Sequence, residues 1–198
     1  MTTPRLVLAS ASLIRATILR DAGLEFDVAR PVVDEDAQKA RLLAAGADLE
    51  AIAMALAEAK ALSVVRQGAL VLGSDQILEH CGRLLDKPRS REEAALRLGE
   101  LQGEAHTLIN AVAVAEDGRV VFRHLDRPQL LMRPMSKDEI ERYLVAAGDK
   151  ALSSVGAYQV ENVGARLFER IEGDHFAVLG LSLLPLLGFL RTRGIGSF

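Results

Sequence analysis

A chain of 198 residues, 49% hydrophobic and 26% charged, has the composition of a globular protein and enough length to bury a sizeable core. A net charge of −3, no Trp and 4% aromatics argue against a nucleic-acid binder, which needs a basic face and stacking platforms. The single cysteine, Cys81, excludes an internal disulfide, residues 1–5 lack a secretory pattern, and the apolar stretch 178–190 is interrupted by Gly180, Pro185 and Gly188, so we expect a cytoplasmic single domain, 1–198, with no membrane partner.

The nearly continuous apolar run Arg5–Ala9 predicts a buried strand. Ser10 or Ser12 then caps a helix to about residue 22, stopped by Gly23. Residues 24–29 alternate like a second strand, and 32–38 read as an acidic loop. A helix over 48–66, capped by Asp48, is Ala-rich with one apolar face. Residues 69–72 predict another buried strand running into Gly73-Ser-Asp-Gln76, then a hairpin pairs 77–79 with 83–85 across Cys81-Gly82. Ser90 and Glu93 predict a capping box for a helix over 90–102, and Ser136 and Glu139 another for 136–147. Between them, 107–115 and 120–133 form a hairpin turned at Glu116-Asp-Gly118. Residues 148–164 are a glycine-punctuated loop, 167–171 and 176–178 short strands, and 182–193 a terminal helix closed by Gly194. The sum is an α/β fold with a mixed, twisted sheet and flanking helices.

Four constellations have chemical potential, and each has a plainer alternative. Ala9-Ser-Ala-Ser-Leu-Ile-Arg15 joins a strand, two hydroxyls, a helix N-terminus and an arginine, the ingredients of a phosphate site; a Ser-capped helix with a surface arginine needs the same letters. Asp75 follows a buried strand, where a carboxylate can hold Mg²⁺ or take a proton from water; an Asx turn also starts this way. The acids Asp34, Glu35 and Asp36 either gather around a cation or form a solvated loop. Lys87, extended by Pro88, suits a point charge for phosphate, whereas Lys60 on its Ala-rich helix reads first as a surface lysine. His80, His106, His124 and His175 lack partners at ligand spacing, Cys81 lacks a neighbouring base, and neither a Walker A loop nor Gly-x-Gly-x-x-Gly occurs.

Taken in order, the segments are more specific than any one of them. Leu-Ala-Ser-Ala-Ser-x-x-Arg at 8–15, Val-Asp-Glu at 33–35, Ala-x-x-Lys-Ala at 57–61, Gly-Ser-Asp-Gln at 73–76, Lys-Pro at 87–88 and Gly-Ala-Tyr…Phe-Glu-Arg-Ile-Glu-Gly-Asp at 156–174 span nearly the whole chain. This series resembles the Maf proteins, nucleoside triphosphate pyrophosphatases. The resemblance implies two lobes around a deep cleft, as in the inosine triphosphate pyrophosphatases. It also implies cleavage of the α–β phosphate bond, dependence on Mg²⁺ or Mn²⁺, and a homodimer in many members. It implies Asp75 as general base, Ser10, Arg15, Lys60 and Lys87 on phosphates, and Glu35 with Asp75 on metal. Gln76 and Glu161 match the branch resembling 7-methyl-GTP pyrophosphatases rather than the dTTP/UTP branch. Ile14 stands where that branch has Trp, Leu13 where the family commonly has Pro, and Asn110-Ala111 where it usually has Thr-Gly. Ile14 therefore joins Gln76 and Glu161 as an expected determinant of substrate choice. The competing readings are a dTTP/UTP or inosine/xanthosine triphosphate pyrophosphatase and a nucleotide-binding cell-division regulator with little turnover.

Overall fold

The computed structural model describes residues 4–196. In chain order the elements are β1 (Arg5–Ala9), α1 (Leu13–Asp21), β2 (Asp27–Ala29), α2 (Glu35–Ala44), α3 (Leu49–Leu62), β3 (Ala69–His80), β4 (Arg83–Leu85), α4 (Arg91–Leu101), β5 (Ala105–Glu116), β6 (Arg119–Asp126), β7 (Gln129–Met132), α5 (Lys137–Ala147), β8 (Phe168–Glu172), α6 (His175–Val178) and α7 (Leu183–Thr192). Two 3-10 segments, Gly148–Ser153 and Val163–Leu167, occupy the glycine-punctuated stretch. The strands form a mixed sheet in the order β2-β1-β3-β5-β7-β8, with β4 on β3 and β6 on β5. The fold is thus α/β with a mixed sheet, as expected from the alternation of strand and helix patterns.

The chain divides into two compact units. The first holds the residues up to Gln76, Asn110–Asp126 and those from Gly180 on; the second holds Ile77–Ile109 and Arg127–Leu179. In the first unit β1 lies between β2 and β3 and runs parallel to both, with Val7 opposite Asp27 and Arg5 opposite Ala69. Val7, Ala9, Ala69 and Val71 pack together, which explains why these strands read as continuous apolar runs. Helix α3 lies hard against β3. A Cβ on Gly73 would sit 2.1 Å from the Ala57 carbonyl oxygen and 2.6 Å from the Ala61 nitrogen, so only glycine allows this approach.

In the second unit, Leu78, Leu98, Leu130, Tyr158 and their neighbours make a larger apolar core. The hairpin at Cys81-Gly82 forms as expected, with Leu78 opposite Leu85; both turn residues have positive φ, 51° and 75°. Helix α5 carries the full capping box: Ser136 accepts from the Glu139 N–H, and Glu139 accepts from the Ser136 N–H. Those bonds, with Arg133, hold the Glu139 carboxyl down at about 2. Helix α4 has half of its expected box. Ser90 accepts from the Glu93 N–H, but Glu93 reaches back to the Arg89 N–H instead of Ser90.

Several expectations need correction. The acidic stretch is the start of helix α2 rather than a loop. Asp34 caps it, accepting from the Ala37 N–H at 3.0 Å, and Glu35 and Asp36 fill its first turn, where the helix dipole favours negative charge. Strand β3 continues through residues 73–76 to His80, so Asp75 lies within a strand rather than beyond its end; sheet pairing overrides the low strand propensity of Gly, Ser and Asp. The expected strand over 120–133 is two strands, β6 and β7, separated at Arg127-Pro128 because Pro128 has no N–H to donate. Residues 175–178 form a short helix capped by Asp174, not a strand. Strand β2 is shorter than expected, and α3 ends at Leu62, four residues early.

Candidate active site

The first unit brings together Ser10, Arg15, Glu35, Lys60 and Asp75, five of the residues expected at the site. Lys60 lies in the last turn of α3, on the face that buries Leu56, Ala57 and Ala61. It is 6% exposed, which removes the surface-lysine reading. Its ammonium donates to Asp75 Oδ1 at 2.6 Å and lies 3.0 Å from Glu35 Oε2. Asp75 is buried on β3, whereas the Glu35 side chain at the α2 N-terminus is 44% exposed. One cation therefore joins a strand carboxylate to a helix-start carboxylate. Gly73 makes the Lys60–Asp75 part of this possible by admitting α3 so close to β3.

Arg15 completes the group from the first turn of α1. Burial pulls its guanidinium pKa down, and the charges of Asp75 and Glu35 pull it back up, so all three share one electrostatic field. Arg15 Nε donates to the Gly180 carbonyl at 2.7 Å, and Nη1 lies 3.4 Å from Ser10 Oγ. Ser10 is buried and accepts from the Ser12 N–H at 3.1 Å, while Ser12 is the residue that caps α1. The two hydroxyls thus divide the work: one caps, the other meets the arginine. Ile14 is half-buried in the first turn of α1, next to Leu13, which is 85% exposed. Gln76 is half-buried, and its Oε1 lies 3.8 Å from where a Gly180 Cβ would stand.

Two expected residues belong to the second unit. Lys87 is exposed in the connection between β4 and α4, followed by buried Pro88. Arg97 braces this connection by donating to the Asp86 carbonyl at 2.8 Å and to the Val155 carbonyl at 2.6 Å. Glu161 is exposed between the two 3-10 segments. Burial, and then the Glu161 charge, raise the Tyr143 phenol to about 12.

The sequence reading gave no role to Ser74, Gly180 and Ser182, and marked Asn110 only as a departure from the family pattern. Ser74 Oγ donates to the Gly180 carbonyl at 3.0 Å. In the amide orientation that satisfies both ends of Asn110, its nitrogen donates to the same carbonyl at 2.9 Å, and its oxygen accepts from Ser182 Oγ at 2.8 Å and the Ser182 N–H at 3.1 Å. A usable signal was present: Asn110 is the one polar residue in the apolar run 108–115, and a buried amide demands partners.

Glu35 and Asp75 are the residues suited to a metal. Among the described residues no three His, Cys, Asp or Glu side chains cluster for a metal, so a cage made only of protein ligands is not formed. Two carboxylates fit a Mg²⁺-type ion instead, because such ions take one or two carboxylates and complete their shell with water and substrate phosphate. No helix among the described residues is long and apolar enough to cross a membrane.

Residues 5–193 match the sequence profile of a family described as Maf-like protein. The chain is 47% identical to a nucleoside triphosphate pyrophosphatase of Nitrobacter hamburgensis over 191 residues, covering 96% of this chain and 94% of that protein. It is 47% identical to a 7-methyl-GTP pyrophosphatase of Rhizobium meliloti over 193 residues, covering 96% and 97%. A nucleoside triphosphate pyrophosphatase of Caulobacter vibrioides is 47% identical over 195 residues, covering 98% of each.

Proposed function

The chain belongs to the Maf family, and from that premise we propose that its Lys60–Asp75–Glu35–Arg15 group hydrolyses the α–β phosphate bond of nucleoside triphosphates. Pyrophosphate hydrolysis of (modified) nucleoside triphosphates is the activity that the names of its relatives carry. The observation that best supports this site is the buried Lys60 ammonium held between Asp75 and Glu35, beside an arginine in the same field. A structural ion pair needs one carboxylate; here a second, half-exposed one converges on the same cation.

A triphosphate brings about four negative charges into the site. Arg15 supplies a planar fork for phosphate oxygens, and Ser10 supplies a hydroxyl beside it. Lys60 engages Asp75 through Oδ1. With Oδ1 engaged by the lysine, Oδ2 is the oxygen we assign to the attacking water. Asp75 accepts the proton as the water oxygen bonds to the α-phosphorus, and the bond to the β-phosphate oxygen breaks to release pyrophosphate and the monophosphate. A divalent ion held by Glu35 and Asp75 would supply charge neutralisation of the phosphates. Lys87 is assigned to the same phosphates, and Gln76, Glu161 and Ile14 to the base.

The substrate we propose is a 7-methyl-GTP-type nucleotide in preference to UTP or dTTP, supported by Gln76, Glu161 and the name of the Rhizobium meliloti relative. The working form is proposed to be a cytoplasmic homodimer dependent on Mg²⁺ or Mn²⁺. The test is pyrophosphate and monophosphate release across a nucleotide panel, with and without chelator. Turnover should vanish with chelator and return with either metal. Wild-type turnover by Asp75→Asn would sink the assigned base, and comparable turnover of UTP or dTTP would sink the substrate preference. Nucleotide binding without any pyrophosphate release would favour a regulator.

A further inference from the structure

We infer that Asn110 is a positioning residue for Arg15, acting through the carbonyl of Gly180. This inference rests on the reading of Arg15 as a phosphate ligand.

An arginine side chain has many rotamers, and a phosphate fork is useful only when its plane is held. The tether that holds Arg15 is a backbone carbonyl. Arg15 Nε donates to Gly180 O at 2.7 Å, which leaves the Nη fork as the part of the guanidinium available to a phosphate. The direction of that carbonyl is therefore the direction of the fork. Gly180 has φ +102°, a conformation in which L side chains are strained, so the turn depends on glycine and on outside contacts for its geometry.

Asn110 supplies those contacts from the middle of β5, where residues 108–115 are otherwise apolar. It is wholly buried between Ile109 and Ala111. Its amide nitrogen meets Gly180 O at 2.9 Å, and its amide oxygen takes both Ser182 Oγ and the Ser182 N–H. One side chain thus clamps the carbonyl and, two residues on, the start of α7. Ser182 makes no side-chain cap on its own helix; its hydroxyl serves this clamp. Ser74, next to Asp75 on β3, donates to the same carbonyl at 3.0 Å and ties the tether to the strand of the proposed base. Without the Asn110 amide nitrogen the carbonyl keeps two donors of three, and without the Asn110 amide oxygen, which accepts from Ser182, the turn loses its anchor to β5. The fork would then sample several directions. A misplacement of about 1 Å is enough to lose roughly 100-fold in rate.

The experiment is a double-mutant cycle on the full chain, with Asn110→Ala made in the wild type and in Arg15→Ala, and Ser74→Ala as a smaller second perturbation of the same carbonyl. Steady-state pyrophosphate release gives kcat and KM, and thermal unfolding is followed in parallel. We expect Asn110→Ala to lower kcat/KM by about 10- to 100-fold when Arg15 is present and by less than about threefold when it is absent. Ser74→Ala should show the same dependence on Arg15 with a smaller loss, which serves if Asn110→Ala fails to fold. An equal loss in both backgrounds overturns the inference, because a merely structural residue costs the same whatever stands at position 15. The Arg15 Nε–H resonance, assigned by Arg15→Lys, supplies a readout independent of activity. It should be protected from exchange in the wild type and lose protection in Asn110→Ala; unchanged protection overturns the tether. If Arg15→Ala itself leaves kcat/KM unchanged, the phosphate reading of Arg15 falls and takes the inference with it, an outcome distinct from equal losses.

Discussion

The two units bury polarity in opposite ways. In the first, Ser10, Lys60, Ser74, Asp75, Asn110 and Ser182 are all buried and bonded into connected networks around charged groups. In the second, the buried polar side chains are His80, His106 and Thr107; neither histidine's Nδ1 has a hydrogen-bond partner, and His80 Nδ1 lies 3.7 Å from Glu100 Oε1. His106 Nε2 meets the Tyr158 hydroxyl at 2.6 Å, and burial, with His80 nearby, pushes its pKa down to about 4. The first unit therefore holds charge inside by pairing it, whereas the second buries His106 as a neutral imidazole. Paired interior charge is weak evidence for stability but strong evidence for chemistry, since a well-packed apolar core is often as stable.

Asp75→Asn should give the largest effect. It keeps the shape and a hydrogen-bond acceptor for Lys60 but removes the charge, and pyrophosphate release should fall by about 1,000-fold, within the range for loss of a general base. Gly73→Ala attacks the same pairing through the backbone. The added methyl collides with the Ala57 carbonyl, so α3 must shift, with about 3 kcal/mol of lost stability by urea unfolding and a loss of turnover that tracks the Lys60–Asp75 contact. A Gly73→Ala protein with wild-type stability would mean that α3 is free to move away at no cost.

In the second unit, acid should be the sensitive probe. His106 is neutral in the fold with a pKa near 4 and an ordinary value of 6.5, so the unfolded chain binds the proton first. Its contribution is fully present above pH 6.5 and is lost as pH falls towards 4. At about 1.4 kcal/mol per pH unit this bounds the loss at roughly 3 kcal/mol. Urea midpoints from pH 7.5 to 4.5 should fall more steeply for the wild type than for His106→Gln; parallel slopes would contradict a neutral buried His106.

The smallest effects should sit on exposed helix surfaces of the second unit. Ser136→Ala breaks the capping box of α5 and should cost about 1 kcal/mol. Gly99→Ala on α4 meets no atom within 4 Å and should stabilise by about 0.5–1 kcal/mol. The opposite signs at Gly73 and Gly99 turn the comparison of the units into one pair of unfolding curves.

Much of this was legible in the letters. Strand β1, the Asp48 cap, the Cys81-Gly82 and Asp117-Gly118 turns and the Ser136–Glu139 box are local signals, and the ordered motifs singled out Ser10, Arg15, Glu35, Lys60 and Asp75, the residues of the proposed site. What was misread was decided at a distance. Asp75 sits inside a strand because sheet neighbours outweigh its propensity. The acids at 34–36 start a helix because its dipole receives them and Lys60 meets Glu35, which their mutual repulsion conceals.

The sequence by itself determined most of the element types, the family and the residues proposed for the site, since these follow from periodicity, caps and ordered motifs within short windows. Only the tertiary structure decided what each group is paired with. Lys60 and Asp75 are 15 residues apart, and Arg15 and Gly180 are separated by 165. No local pattern encodes such pairings. They arise where close packing, such as α3 over Gly73, brings distant polar groups out of water together and obliges them to satisfy one another.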